Sequence, residues 1–406
     1  MSGEETMHGL PRIRFADKLP DRADIVIIGG GAAGIATAYA MARLGYSESH
    51  RVVVLERGYL GRGSATRNAG RFRIHFFSKE NARFALESRK RILELPHVTG
   101  VNPVITLGGY LWLFQREETL EAFRRTNEEI WRPLGAPVEF MSVEEVRERF
   151  PLLNPEGYAG AAFGPQNGSV HHDYMIIGEA TYAASKGVII APFTEAEEIV
   201  VEASRVKGVR VKGHGTIEAD KVLVAAGIWT KTLLERMRIE LPLKPVRKSL
   251  FVTEPYKFTL KPFVTEFETG SYVCQTPKGE IIATMKYAPG EPETMDFGSV
   301  SLRWIAATAR FVKKLVPWAR LDLMRVWSGH YNVSPDHSHI LGRDPEWPQG
   351  LYVATGFSGH GLMMSPYAGE LVAINMVEDK VHPDMEPYLP TRFREGRLIH
   401  EGLVIG

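Results

Sequence analysis

Residues Ala23 to Gly45, ADIVIIGGGAAGIATAYAMARLG, set Gly29, Gly31 and Gly34 in a G-x-G-x-x-G arrangement between an apolar run and a helical pattern. Ile25 to Ile28 reads as a buried strand, and the stretch from about Ala33 to Gly45 as a helix. RVVVLERG then supplies a second apolar strand ending at Glu56, which completes a βαβ unit. In such a unit the first glycine permits a tight turn, the second lets a diphosphate approach the backbone, and the third lets helix and strand pack closely. Free N–H groups and the dipole at the helix start favour negative charge there. Glu56, 22 residues after Gly34, can accept hydrogen bonds from both ribose hydroxyls of an adenosine and would repel a 2′-phosphate. The pattern points to FAD or NAD rather than NADP, and the bland alternative is a tight turn with nothing bound.

A chain of 406 residues exceeds the usual limit for one hydrophobic core, so two closely packed domains are expected. Lys and Arg number 49 against 48 Asp and Glu, with no long block of like charge, which argues against a nucleic-acid partner. The lone Cys274 excludes an internal disulfide or a multi-cysteine cluster and suits a cytoplasmic protein; no metal is expected. The N-terminal residues lack the apolar core of a secretory signal. The uncharged run Ile25 to Ala42 is long enough to be mistaken for a membrane span, but its glycine cluster reads as strand, turn and helix, and no transmembrane segment is expected.

Two further apolar strands end in glycine turns: KVLVAAGIW (Lys221–Trp229), after an antiparallel meander in EIVVEASRVKGVRVKGHGTIEAD, and GLYVATGF (Gly350–Phe357). Between them lie aromatic strand-like pieces and charged or amphipathic helices such as SLRWIAATARFVKKLVP. The expected class is α/β. A Rossmann-like nucleotide-binding domain is assembled from residues 22–103, 152–240 and 327–385, and an inserted, mainly antiparallel α+β domain from 104–151 and 241–326. Residues 386–406 form a C-terminal extension.

GYLGRGSATRNAGRFR (Gly58–Arg73) is rich in small and hydrogen-bonding residues directly after Glu56, where a chain beside a bound diphosphate needs them; alternatively it is a solvated basic loop. The fingerprint, this S-x-x-R-N-x-G-x-x-R loop, VLVAAGIW, SPDHSHILG and GFSGHGL follow one another in an order that resembles the D-amino-acid oxidase-like flavoprotein family. The resemblance is to its branch of sarcosine, glycine, dimethylglycine and proline oxidases and dehydrogenases, and it spans about residues 22 to 380.

The resemblance implies an FAD enzyme that oxidises the C–N bond of a secondary amine or amino acid to an imine. Its partners would be that small molecule and an electron acceptor: a quinone, a dye-like carrier, a partner subunit or dioxygen. An oligomer or complex is compatible with it. Glu56 and Arg57 fall at the adenosine. Ser64, Arg67, Asn68 and Gly70 match the loop bordering the flavin, and Ala226, Gly227 and Trp229 the turn under the adenine and diphosphate. Gly356, Gly359, His360, Gly361 and Leu362 match the segment touching the isoalloxazine, where backbone N–H groups would meet charge at N1 and the C2 carbonyl. His360 alternatively reads as a satisfied structural histidine.

Arg73 falls where the family places its carboxylate-binding arginine, and a guanidinium clasps both oxygens at once. Arg71 competes, because residues at this spacing on an extended chain share a side; a surface ion pair is the bland alternative. Tyr331 matches an aromatic position at the substrate face, or else is core packing. The family's covalent flavin ligands are absent: Gly329 stands at the cysteine position and Arg67 at the histidine position, which implies non-covalent FAD. Met363 replaces a carboxylate-contacting lysine and suits a more hydrophobic ligand. The lysine that relatives use with dioxygen aligns loosely with Ile282, with Lys286 nearby. Its loss would favour a dehydrogenase over an oxidase.

Overall fold

The computed structural model describes residue 15 and residues 18–286 and 292–402. The fingerprint strand, Arg22–Ile28, has every residue from Val26 onward buried, because it lies in the middle of a sheet. Val52–Leu55 and Gly215–Val224 flank it in parallel, and Ile189–Ala191 and Leu351–Thr355 extend the two sides, also in parallel. Ile340–Gly342 closes one edge antiparallel. The meander Ala196–Glu202 and Arg205–Val211 folds back antiparallel on Gly215–Val224. Strands buried on both faces read as continuous apolar runs, which is why VVVL and KVLV were legible.

The Ala32–Arg43 helix packs between the Gly361–Glu378 and His172–Ser185 helices on one face of this sheet. Its many alanines let it be buried on nearly all sides: ten of its twelve residues are inaccessible. A second sheet runs Leu323–Val333, Lys244–Pro255, Glu280–Thr284, Tyr272–Gln275, Phe263–Glu266, Tyr110–Phe114, Gly160–Gly164, Glu139–Met141. Neighbours in it are antiparallel except Phe263–Glu266 with Tyr110–Phe114. The amphipathic helix Leu302–Leu315 covers one face through Trp304, Phe311, Val312 and Leu315. No described helix is long and apolar enough to cross a membrane.

Two boundaries drawn from the sequence move. Gly160–Gly164, which fell in the nucleotide-binding segment 152–240, is hydrogen-bonded to Tyr110–Phe114 in the second sheet. Leu323–Val333 crosses the 326/327 limit without a break and pairs along its length with Lys244–Pro255. Both shifts are decided by cross-strand pairing at long range, which leaves no mark in the local apolar pattern. The C-terminal extension is also integral to the structure. Arg392, wholly buried, meets Asp336 through Nε at 2.7 Å and Nη2 at 3.0 Å, and Glu401 accepts from the Phe77 and Ser78 amides.

Candidate active site

The parallel strands Arg22–Ile28, Gly215–Val224 and Leu351–Thr355 point their carboxyl ends at a cavity of about 600 Å³ that continues between the two sheets. That is where open α/β sheets bind ligands. Every FAD- or substrate-binding residue named from the sequence lies on its wall except Gly34 and Gly70. Those two serve close packing: a Cβ on Gly34 would stand 1.9 Å from the Gly29 carbonyl oxygen, and one on Gly70 2.3 Å from that of Val170.

At one end the glycine turn makes a cradle. Gly29 has φ +115° and passes so near Ala225 that a Cβ would sit 2.4 Å from its carbonyl oxygen. A Cβ on Gly31, by contrast, has nothing nearer than Ala65 at 3.9 Å, so this glycine keeps space open rather than filling a contact. The following helix has no side-chain cap and its first internal bond is Ile35 N to Gly31 O, leaving its opening N–H groups unpaired inside the helix. This is an anion cradle. Glu56 is fixed by the amides of Gly30 at 2.9 Å and Gly58 at 2.8 Å, and a carboxylate holding two such bonds retains lone pairs for a diol. Arg57 stacks on the Trp229 ring at 4.0 Å, joining the loop after Glu56 to the Ala226–Trp229 turn.

The Ser64–Arg73 loop is tied to the second sheet. Ser64 Oγ accepts from the His330 amide at 3.2 Å, Arg67 Nη1 donates to Ser328 O at 3.3 Å, and Trp327 Nε1 donates to Arg67 O at 3.1 Å. Within the loop Asn68 Oδ1 accepts from the Gly70 amide at 2.7 Å. Gly329 lies against this loop; a Cβ there would stand 3.1 Å from Arg67 Cβ.

At the far end the Gly361–Glu378 helix begins with no side-chain cap on His360, so a second uncapped helix start faces the cavity through Gly361, Leu362 and Met363. Gly359, at φ +93°, passes beneath Tyr331: a Cβ would stand 2.4 Å from its ring. Arg73 is buried, with its guanidinium 3.9 Å from the Phe76 ring centroid. Nη1 donates to the His75 carbonyl and Nη2 to His360 Nε2 at 3.1 Å. Burial lowers the Arg73 pKa to about 10, which leaves it charged. Burial, and then Arg73 beside it, hold His360 well below the ordinary histidine range. An arginine only donates, so the neutral His360 ring accepts at Nε2 and carries its proton on Nδ1.

Arg71 sits nearer the second sheet, with Nη2 on Gln275 O at 2.9 Å, Nε buried without a hydrogen-bond partner, and the guanidinium 6.0 Å from the Phe263 ring. Around it Tyr110 stacks on Phe263 at 4.4 Å and Phe263 meets Tyr272 at 4.6 Å. The sequence did not single out these three rings, nor Lys248, whose Nζ lies 5.2 Å from the Tyr331 centroid. The alternation in GGYLWLF marks a strand, but no spacing links it to residues 160 positions later. Lys286 is exposed, and neither it nor Ile282 lines the cavity.

Two uncapped helix starts at opposite ends, an acid fixed beside the first, and an aromatic wedge with two arginines beside the second fit a long dinucleotide whose diphosphate and reactive ring lie apart. Glu56, Gly31 and the first helix start would hold the adenosine and diphosphate. Gly359 to Met363 would hold the ring.

Comparison with known proteins agrees. The chain is 28% identical over 403 residues to a sarcosine oxidase subunit beta from Arthrobacter sp, covering 96% of each. The structure resembles that of L-proline dehydrogenase from P. horikoshii, with TM-score 0.86 and 29% identity, covering 94% of this chain and 100% of that one. It also resembles glycine oxidase from Geobacillus kaustophilus, with TM-score 0.81 and 28% identity over 91% and 99% of the two chains. The model of the FAD dependent oxidoreductase (DAO) family matches residues 24–373. The chain therefore belongs to the FAD dependent oxidoreductase family, and FAD is its cofactor.

Proposed function

We propose that the protein is a dehydrogenase that oxidises the C–N bond of a secondary amine or amino acid, of proline-like or N-methylglycine-like form, to an imine. The carrying observation is the wedge between the second helix start and the second sheet. It holds two arginines, Arg71 and Arg73, as the cationic element for a carboxylate, and a compact set of rings, Tyr110, Phe263, Tyr272 and Tyr331, for the rest of the molecule. Met363 adds an apolar surface where a larger ring system would rest. When bound, FAD supplies a two-electron acceptor.

The protein's own contribution is binding, orientation and the exclusion of water. Arginine fixes the carboxylate and the rings fix the carbon skeleton, which places the carbon next to nitrogen over the helix start. The carbon gives up hydride, the nitrogen lone pair becomes the second C–N bond, and the nitrogen proton leaves to solvent. His360 is held low and already bonded through Nε2, and burial pushes Tyr110 upward, so neither of these two wall residues is a base suited to neutral pH. The substrate therefore reacts as the neutral amine, and kcat/KM rises with pH as the amine loses its proton.

Non-covalent attachment of FAD is supported by Gly329 on the cavity wall and by Cys274, which is buried behind the wall residue Arg71 and does not itself line the cavity. The same buried thiol suits a reducing cytoplasm. Placement of Lys286 outside the cavity favours an acceptor other than dioxygen; Lys248 inside it favours a second reading, an oxidase. Turnover of L-proline and sarcosine should run faster with a redox dye under nitrogen than peroxide accumulates in air. Peroxide formation at the dye rate would make the enzyme an oxidase. Substrate reduction of the flavin without turnover would assign the acceptor to a partner subunit.

A further inference from the structure

We propose that Arg71, not Arg73, receives the substrate carboxylate, and that Arg73 is a positioning residue which fixes His360 beside the second helix start. This rests on the amine-oxidising reading of the cavity.

The two arginines are two residues apart and both reach the cavity, yet their surroundings differ in kind. Arg73 is committed to the protein: Nη1 to the His75 carbonyl, Nη2 to His360 Nε2, and one guanidinium face on Phe76. Phe76 in turn meets the His360 ring edge-on at 4.9 Å, so Arg73, Phe76 and His360 form one packed unit. Turning Arg73 towards a ligand would strip His360 of its donor and reopen that packing. Arg71 is the reverse case. Its Nε is buried with no hydrogen-bond partner, only the Cys274 thiol, a weak acceptor, lies against the guanidinium, and a buried donor so poorly matched calls for a ligand. Nη2 spends one proton on Gln275 O and has a second, so the Nε and Nη2 edge offers two parallel N–H groups to a carboxylate. The rings of Phe263, Tyr110 and Tyr272 around it would shield that ion pair and accept a small apolar ring or N-alkyl group.

The consequence is a division of labour. Arg71 selects for a carboxylate next to the amine, so its loss weakens binding of acids specifically. Arg73 orients the His360 ring through its Nη2–Nε2 bond, so its loss slows the reaction of any amine that still binds.

The test compares R71M, R71K, R73M and R73K with the wild type. The probes are L-proline, pyrrolidine (the same ring without a carboxylate) and 2-furoate (a ring carboxylate that cannot be oxidised), with 2-furoate binding read from the visible flavin spectrum. A lost charge-assisted pair should weaken 2-furoate binding by roughly 10- to 150-fold in R71M and lower the proline-to-pyrrolidine ratio of kcat/KM by a similar factor. R71K should recover part of both. R73M should lower kcat for proline and pyrrolidine alike while 2-furoate affinity changes little, and R73K should restore less than R71K does. If R73M abolishes 2-furoate binding while R71M leaves it intact, Arg73 is the carboxylate ligand and the proposal is overturned. Should R71M fail to hold flavin, R71K keeps the charge without the fork and gives the same comparison at smaller amplitude. If no amine or amino acid reduces the wild-type flavin, the amine reading fails, and the 2-furoate titrations still decide between the arginines.

Discussion

Replacing Gly31 by alanine separates ligand binding from folding. At Gly31 the backbone has φ −87° and ψ −172°, which any residue adopts, and the new methyl would find Ala65 Cβ at 3.9 Å as its nearest neighbour. The apo-protein should therefore melt at the wild-type temperature or slightly above it, since alanine at a compatible site gains about 0.4–1 kcal/mol from a less flexible unfolded chain. The methyl does, however, occupy the space through which a diphosphate reaches the helix N–H groups. Losing one charge-assisted hydrogen bond costs about 1.5–3 kcal/mol, or roughly 10- to 150-fold in FAD affinity. Gly34→Ala should behave oppositely: its methyl would lie 1.9 Å from the Gly29 carbonyl oxygen, so the fold itself loses at least about 1–3 kcal/mol. Apo-protein melts and titration with FAD, followed by quenching of flavin fluorescence, measure both quantities. FAD binding at wild-type strength by the Gly31→Ala variant, or unfolding as severe as that of Gly34→Ala, would refute the cradle.

Glu179 is wholly buried with neither carboxyl oxygen hydrogen-bonded, and burial raises its pKa well above the ordinary carboxyl value. A raised acid costs nothing below its unfolded pKa and destabilises progressively as pH climbs towards the folded value. The stability gain of Glu179→Leu over wild type should thus grow by about 1.4 kcal/mol per pH unit above about pH 4.5; a gain that stays constant from pH 5 to 8 in denaturant titrations contradicts this. Arg392→Met strands the buried Asp336 carboxylate and should cost about 3–5 kcal/mol, with Asp336→Leu added in the same chain recovering much of it. An equal loss in single and double variants would show that the pair is not the source.

The nucleotide end of the site was legible because its signal is local. A strand, three glycines and an acid at fixed spacing lie within one βαβ unit, and Gly29, Gly31 and Glu56 all fall on the cavity wall. The substrate end is assembled from the Arg71 loop, the strands holding Tyr110, Phe263 and Tyr272, and the helix start at Gly361, which only pairing across the second sheet brings together. An extended loop puts Arg71 and Arg73 on one side, so spacing alone did not separate them and the choice of Arg73 rested on the resemblance; His75, Phe76 and His360 make them different. The domain limits failed for a similar reason, since Gly160–Gly164 is a strand whose partner lies about fifty residues away.

The most direct measurement is an anaerobic one on the freshly purified protein. It should be yellow, release FAD on denaturation, and lose its visible flavin absorbance when mixed with L-proline or sarcosine in the absence of oxygen. A folded protein that carries no flavin and takes none up, or whose flavin stays oxidised against secondary amines and amino acids alike, would contradict it.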